Sequence, residues 1–334
     1  MGKKKRKGGQ VAREMKQLKR ELKGLRKEQK KLRHQVKKLH RSLATASAVS
    51  GETAQGGAVP SGAGAGSPTQ GRPSGGGGVL PQSAYPTPMA SGKYRGGYAH
   101  YRVTEVGHLT PTVMRVVAEP AGKQRLDAQG LTGEYVYLVT GKHGEVLGAP
   151  RFEKGKARWD QPITSAKYTV RRFDERSGAV EINIMLHKRG AGTTWARTVA
   201  AGDDAHFLGP KSGYLISDSY DFYLLAGDES GLPGMARWVE SLPPQARGAL
   251  FVEVPTDASR QVIEAPAGFE VVWVDSARRG ALAEAVMAYP LPEGSVFTWL
   301  AGESGAIHPL RIWARRELGV PKGHGYAKGY WKKK

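Results

Sequence analysis

Residues 179–196 read AVEINIMLHKRGAGTTWA, and this stretch holds two kinds of structure back to back. In its first half Val180, Ile182, Ile184 and Leu186 alternate with Glu181, Asn183 and Met185, the period of two that puts one face of a β-strand on a core. Its second half breaks into a Gly-rich turn, GAGTTWA, that can open a helix. Gly190 and Gly192 let backbone approach a ligand closely, and the amides of Thr193 and Thr194 at a helix start suit a pyrophosphate. The spacing is not G-x-G-x-x-G and the turn follows an antiparallel strand, so it is not the dinucleotide fingerprint.

The same period of two extends upstream through VMRVVAEP, EYVYLVTG and AKYTVRRF. Short strands bounded by Gly, Pro and Asp predict an antiparallel, Greek-key β-barrel over residues 94–217. Within AKYTVRRF, Tyr168 and Thr169 offer an aromatic plane and a hydroxyl among cations. Read alone, they are also ordinary β-formers.

After Asp218 the pattern changes. DFYLLAG, GALFVEVP, FEVVWVD and SVFTWLAG are continuous apolar runs, as strands buried on both faces require. Helical segments alternate with them: LPGMARWVESL, GALAEAVMAY and HPLRIWARREL, the last with Leu310, Trp313, Ala314 and Leu318 on one face. Strand–helix alternation predicts an α/β domain with a parallel sheet over 218–334, whose ligands bind at the carboxyl ends of the strands.

The 334 residues carry a formal charge of +21, but residues 1–42 hold 18 Lys/Arg against three Glu, so the body is only mildly basic. From Val11 to Leu43 an apolar seam steps by four and three, with Glu14, Glu21 and Glu28 at g, Lys19, Arg26 and Arg33 at e, and Gln29 at an a position. Segment 1–43 reads as a basic helix and candidate parallel coiled coil, giving a homodimer through 11–43. A single helix lying on an anionic membrane or nucleic acid, and a disordered polybasic tail, remain open. Residues 44–93, with GAVPSGAGAGSPTQGRPSGGGG at their centre, read as a disordered linker.

Cysteine is absent, which excludes disulfides and thiolate metal sites and leaves redox chemistry to an organic cofactor. It also fits a reducing, cytoplasmic setting. No apolar run approaches a membrane span. No second histidine stands at ligand spacing from His187, so no metal site is expected there.

AKYTVR, HKRGAGTTWA, GPKSG, LLAGDESGLPGMAR, TWLAGES and the terminal GYWK, in that order over residues 100–331, resemble the siderophore-interacting protein family. The resemblance implies an FAD-dependent, NAD(P)H-dependent ferric-siderophore reductase with flavin on the barrel and NADPH or NADH on the sheet. It implies that Tyr168 and Thr169 lie against the isoalloxazine, with Thr169 near the reacting nitrogen, and that His187, Gly190, Gly192, Thr193, Thr194 and Trp195 form the flavin turn. It assigns Gly227, Asp228, Glu229 and Pro233, with Gly302 and Glu303, to the nicotinamide groove. Asp228 and Glu229 read as supporting or helix-capping residues, because hydride transfer needs placement rather than a base. The family usually carries Arg two residues before the Tyr, where this chain has Ala166. A flavin phosphate contact is then missing or has moved, with Arg171 or Arg172 as candidates. Lys328 and Lys332 flank Gly329-Tyr330-Trp331 and are expected to attract the anionic ferric siderophore. Arg260 meets a 2′-phosphate or is a surface charge. The alternatives are a reductase of this fold for another acceptor, and a non-catalytic nucleic-acid or membrane binder acting through the basic tail.

Overall fold

The computed structural model describes residues 85–94 and 96–333. The expected basic helix or coiled coil at 1–43, its dimer and its anionic partners, and most of the linker lie outside them. The described residues fall in one compact unit, and none of their helices is long and apolar enough to cross a membrane.

In chain order the first part comprises β1 (Ala90–Ser91), β2 (Gly97–Thr110), β3 (Val113–Pro120), β4 (Tyr135–Gly141), β5 (Arg151–Glu153), β6 (Lys156–Arg158), β7 (Ile163–Thr169), β8 (Arg172–Phe173), β9 (Val180–Met185), helix α1 (Ala191–Thr198), β10 (Asp204–Gly209) and β11 (Tyr214–Leu215). Seven of these strands form one antiparallel sheet in the order β7-β4-β10-β2-β3-β9-β8. Its edge strands β7 and β8 share no ladder, so the sheet is an open half-barrel rather than a closed one. The alternation places Val180, Ile182 and Ile184 in one core with Tyr101, Val116 and Phe207. The opposite face of β9 is covered too: Glu181 receives Arg115 Nε at 3.0 Å, while Asn183 and Met185 face a cavity.

The second part holds β12 (Phe222–Asp228), α2 (Leu232–Val239), β13 (Arg247–Val254), β14 (Gly268–Asp275), α3 (Ala281–Ala288), β15 (Val296–Glu303), α4 (Ser304–Arg316) and β16 (Gly325–Trp331). The sheet order is β14-β13-β12-β15-β16, parallel throughout. Every residue of β12 is buried, with one apolar cluster on each side of the sheet. This is the reason its sequence shows no alternation. On α4, Leu310 and Ala314 are buried as the pattern requires, Trp313 packs beside them, and Leu318 lies just past the helix end. The sequence reading ends at four strands. The fifth, β16, escapes it because GYAKGYW carries two glycines and a lysine on a half-exposed edge.

Residues 85–93 also depart from the coreless linker expected there. Tyr85 packs against Tyr220 and His324, with ring centroids at 6.4 and 4.9 Å. The Met89 N–H donates to the Gly323 carbonyl at 2.8 Å, and β1 pairs with β11. An aromatic ring, a methionine and a short ladder hold this end of the segment on the body.

Candidate functional site

Between the two sheets lies a cavity of about 450 Å³, walled by β7, β9 and α1 on one side and by the start of α2 and β16 on the other. Tyr168 and Thr169, at the carboxyl end of β7, both line it. Burial pushes the Tyr168 phenol up to about 12, so it stays protonated and uncharged at neutral pH. Its hydroxyl lies so close to Gly192 that a Cβ at that position would overlap it. Thr169 faces Gly234 of α2, where an added Cβ would stand 3.5 Å from the threonine methyl. Tyr168 is thus fixed by α1, and Thr169 looks across to the parallel-sheet half.

The Gly-rich turn opens α1 as expected. Gly190 precedes the helix at φ 141°, ψ 144°, a conformation that side chains resist, and offers no side-chain cap. The first-turn amides of Ala191, Gly192 and Thr193 therefore have no intrahelical acceptor and lie at the cavity wall. Thr194 differs from expectation: its N–H already donates to the Gly190 carbonyl at 2.9 Å and its side chain is exposed, so the free amides sit one residue earlier. The buried Thr193 hydroxyl accepts the His187 N–H at 3.1 Å, which ties the end of β9 to the turn. Trp195 points away from the cavity into the half-barrel core at 1% exposure and is a packing residue.

The cations are distributed differently from the sequence reading. Arg171 is buried away from the cavity, its guanidinium donating to both Glu240 oxygens at 2.8 and 2.6 Å. That bidentate pair holds the two halves together and leaves no donor fork for a phosphate. Arg172 is exposed outside the lining. Arg189, immediately before Gly190, stands at the cavity wall instead, as do Lys167 and Lys328. Lys167 lies over the Tyr135 and Tyr137 rings at 5.3 and 5.5 Å, on the other face of β7 from Ala166. Lys332 is exposed and outside the lining, and Arg260 pairs with Asp257 at 2.6 Å.

On the parallel side only Pro233, among the residues expected in the groove, touches the cavity directly. Asp228 is 6% exposed and holds the strand ends together. One oxygen accepts from the Ser230 N–H and hydroxyl, the other from the Glu303 N–H and Trp331 Nε1, both at 2.8 Å. Glu229 accepts the Thr112 hydroxyl at 2.5 Å, joining the β2–β3 turn to the start of α2, and burial raises its pKa. Glu303 caps α4 by accepting the Gly305 and Ala306 N–H groups. At Gly227 an added Cβ would overlap the Ala301 carbonyl, and at Gly302 it would crowd Asp228, so both glycines serve close strand packing. Trp331, which sequence reasoning passed over in favour of its flanking lysines, forms cavity wall with its ring 5.1 Å from His187. Tyr326 also lines the wall and carried no signal, because β16 was not legible as a strand.

An uncapped helix start beside Arg189 suits phosphate groups, and a protonated phenol with Thr169 beside it suits a planar ring system. These residues fit a flavin nucleotide. The model of the siderophore-interacting FAD-binding domain matches residues 102–214, and that of the siderophore-interacting protein matches residues 220–334. The Rv2895c protein of Mycobacterium tuberculosis is 30% identical over 255 residues, covering 70% of this chain and 89% of the relative. The chain belongs to the siderophore-interacting protein family. Another relative, the ferric vibriobactin reductase ViuB of Vibrio cholerae, is 29% identical over 196 residues, covering 56% of this chain and 72% of its own. A solved siderophore utilization protein from T. fusca superposes with a TM-score of 0.64 at 28% identity, covering 73% of this chain and 96% of that one. In this chain the flavin-domain match precedes the second match.

Proposed function

We propose that this protein is an NAD(P)H-dependent flavoprotein that reduces ferric siderophores and so releases ferrous iron. The observation that carries the reading is one cavity shared by the Tyr168–Thr169 strand end, the uncapped start of α1 and the carboxyl end of β16.

Bound FAD would accept a hydride from NADPH or NADH and pass electrons singly to the iron. The chain supplies placement. The Ala191–Thr193 amides and Arg189 would hold phosphate, while Tyr168 would present a neutral face to the flavin ring. Thr169 lines the cavity where its wall passes from β7 to α2, and there it would stand between a flavin held on the half-barrel and a nicotinamide held on the parallel sheet. Asp228 fixes Trp331, and with it the wall opposite His187. Lys328, exposed at the rim, would draw in an anionic chelate. Ferrous iron is softer and less charged than ferric, so hard oxygen chelators release it on reduction. A cytoplasmic location, where NADPH and NADH are supplied, agrees with this chemistry.

The test is an anaerobic titration of the purified full chain. Flavin bands near about 370 and 450 nm are expected to bleach with NADPH or NADH and to return on adding a ferric siderophore, with a ferrous-specific chelator reporting stoichiometric Fe²⁺. A protein that takes up no flavin would overturn the proposal. A protein that bleaches but is reoxidised only by quinone or free flavin would place it with reductases for another acceptor.

A further inference from the structure

Strands β2 and β10 set His100 directly opposite His206, and Arg102 opposite Asp204. The flanking residues Ala99, Tyr101, Ala205 and Phe207 enter the half-barrel core, so strand alternation puts His100, Asp204 and His206 together on the opposite face. One ligand atom from each lies within 4.8 Å of the other two. None of the three lines the cavity described above.

The pairing of His100 with Asp204 is unusual. His100 Nε2 stands 2.9 Å from Asp204 Oδ1, yet neither atom has a hydrogen-bond partner and both are shut off from water. At that spacing an N–H aimed along the line would form a strong charge-assisted bond. Here the ring nitrogen is aimed off the line. Two ligands in cis positions on one metal ion show this geometry: with bonds of about 2.1 Å they lie about 3 Å apart, and their lone pairs converge on the ion rather than on each other.

His206 completes the set. Its Nε2 lies 3.1 Å from the Leu147 carbonyl, a contact that takes the ring proton and leaves Nδ1 with the lone pair, 2.9 Å from the Tyr98 hydroxyl. A backbone carbonyl on the second nitrogen is the usual support of a metal-bound imidazole. The opposing charge is Arg102, 3.2 Å from Asp204 Oδ1. Its side chain is half exposed, free to turn to solvent when an ion arrives.

We propose that His100, Asp204 and His206 bind one divalent first-row transition-metal ion on the half-barrel face opposite the core. Two imidazoles and one carboxylate without thiolate suit Fe²⁺, Mn²⁺, Co²⁺ or Zn²⁺ with positions left for water. The ion draws the third ligand atom inward. Local sequence could not show this set, since Asp204 follows His100 by 104 positions and only the β2–β10 ladder joins them.

The probe is Co²⁺, titrated into the full chain after chelator treatment and followed by its visible absorption. Saturation by one high-affinity Co²⁺ is expected, weakened at least about tenfold in His100→Gln and in Asp204→Asn, with flavin content unchanged. Paramagnetic proton NMR of the wild-type chain gives a second readout that needs no variant: Co²⁺ should shift the ring protons of His100 and His206. Absence of saturable binding, binding that both variants retain, or binding that leaves both histidine rings unshifted would overturn the site.

Discussion

The indole Nε1–H of Trp331 donates to Asp228 Oδ2 at 2.8 Å, joining the carboxyl ends of β16 and β12 across β15. The same oxygen accepts the Glu303 N–H, and the other carboxylate oxygen is taken by Ser230. A carboxylate so placed has acceptor capacity for every donor around it, whereas an amide turns its NH₂ toward one pair of them. Asp228→Asn is therefore expected to cost about 3 kcal/mol in urea denaturation, and Trp331→Phe, which removes one donor only, about 1 kcal/mol. Equal losses from the two would mean that Asp228 does no more than hold the indole.

Arg171 and Glu240 bind the half-barrel to α2 through a buried bidentate pair. Removing one partner strands the other charge, so Arg171→Met should destabilise the fold by about 3–5 kcal/mol. Arg171→Met with Glu240→Leu should recover most of that loss, because two apolar groups leave nothing unpaired. Flavin occupancy of whatever folds should be unchanged in both. A flavin loss in the double variant would return Arg171 to the phosphate site.

The difference between these two residues shows what the sequence could and could not convey. Burial on both faces leaves its mark on every residue of a strand, so β12 and β15 were legible from composition alone. Tyr168, Thr169 and Gly190 were legible because a strand end and a turn are local events. Arg171 was misplaced because its partner stands 69 residues away, at the end of a helix. Trp195 follows the turn directly, but its indole is taken up by packing in the half-barrel core, which only the tertiary fold decides. Arg189 could have been found by proximity, since it adjoins the turn that it serves.

Glu229 gives a pH signature. Burial raises its pKa above the ordinary 4.5, the neighbouring Asp228 charge adds to the rise, and the Thr112 hydroxyl opposes it. A carboxyl raised in the folded state contributes stability that is full below the unfolded value and is lost as pH climbs through the folded one. Glu229→Gln keeps an acceptor for Thr112 without the buried charge. It should therefore be more stable than the parent at pH 7, with the advantage fading as pH falls toward 4.5 and below. Thermal melting of both proteins across pH 4–8 checks this. An advantage that does not change with pH would locate the effect in packing instead.

Gly192 and Tyr168 test the cavity wall directly. The glycine lies inside α1, so its lack of a side chain costs helix propensity, and the structure explains the choice: a Cβ there would overlap the Tyr168 hydroxyl. Gly192→Ala should raise the helix propensity of α1 while pushing the Tyr168 ring into the space assigned to the flavin. The expected result is a chain that folds, with far-UV circular dichroism unchanged, but binds FAD at least about tenfold more weakly, near 1.4 kcal/mol. Tyr168→Phe removes the overlapping oxygen, so adding it to Gly192→Ala should restore part of the affinity. Recovery in that double variant, measured by flavin fluorescence titration against each single variant, would assign the loss to the ring's position. No recovery would assign it to the backbone of the turn.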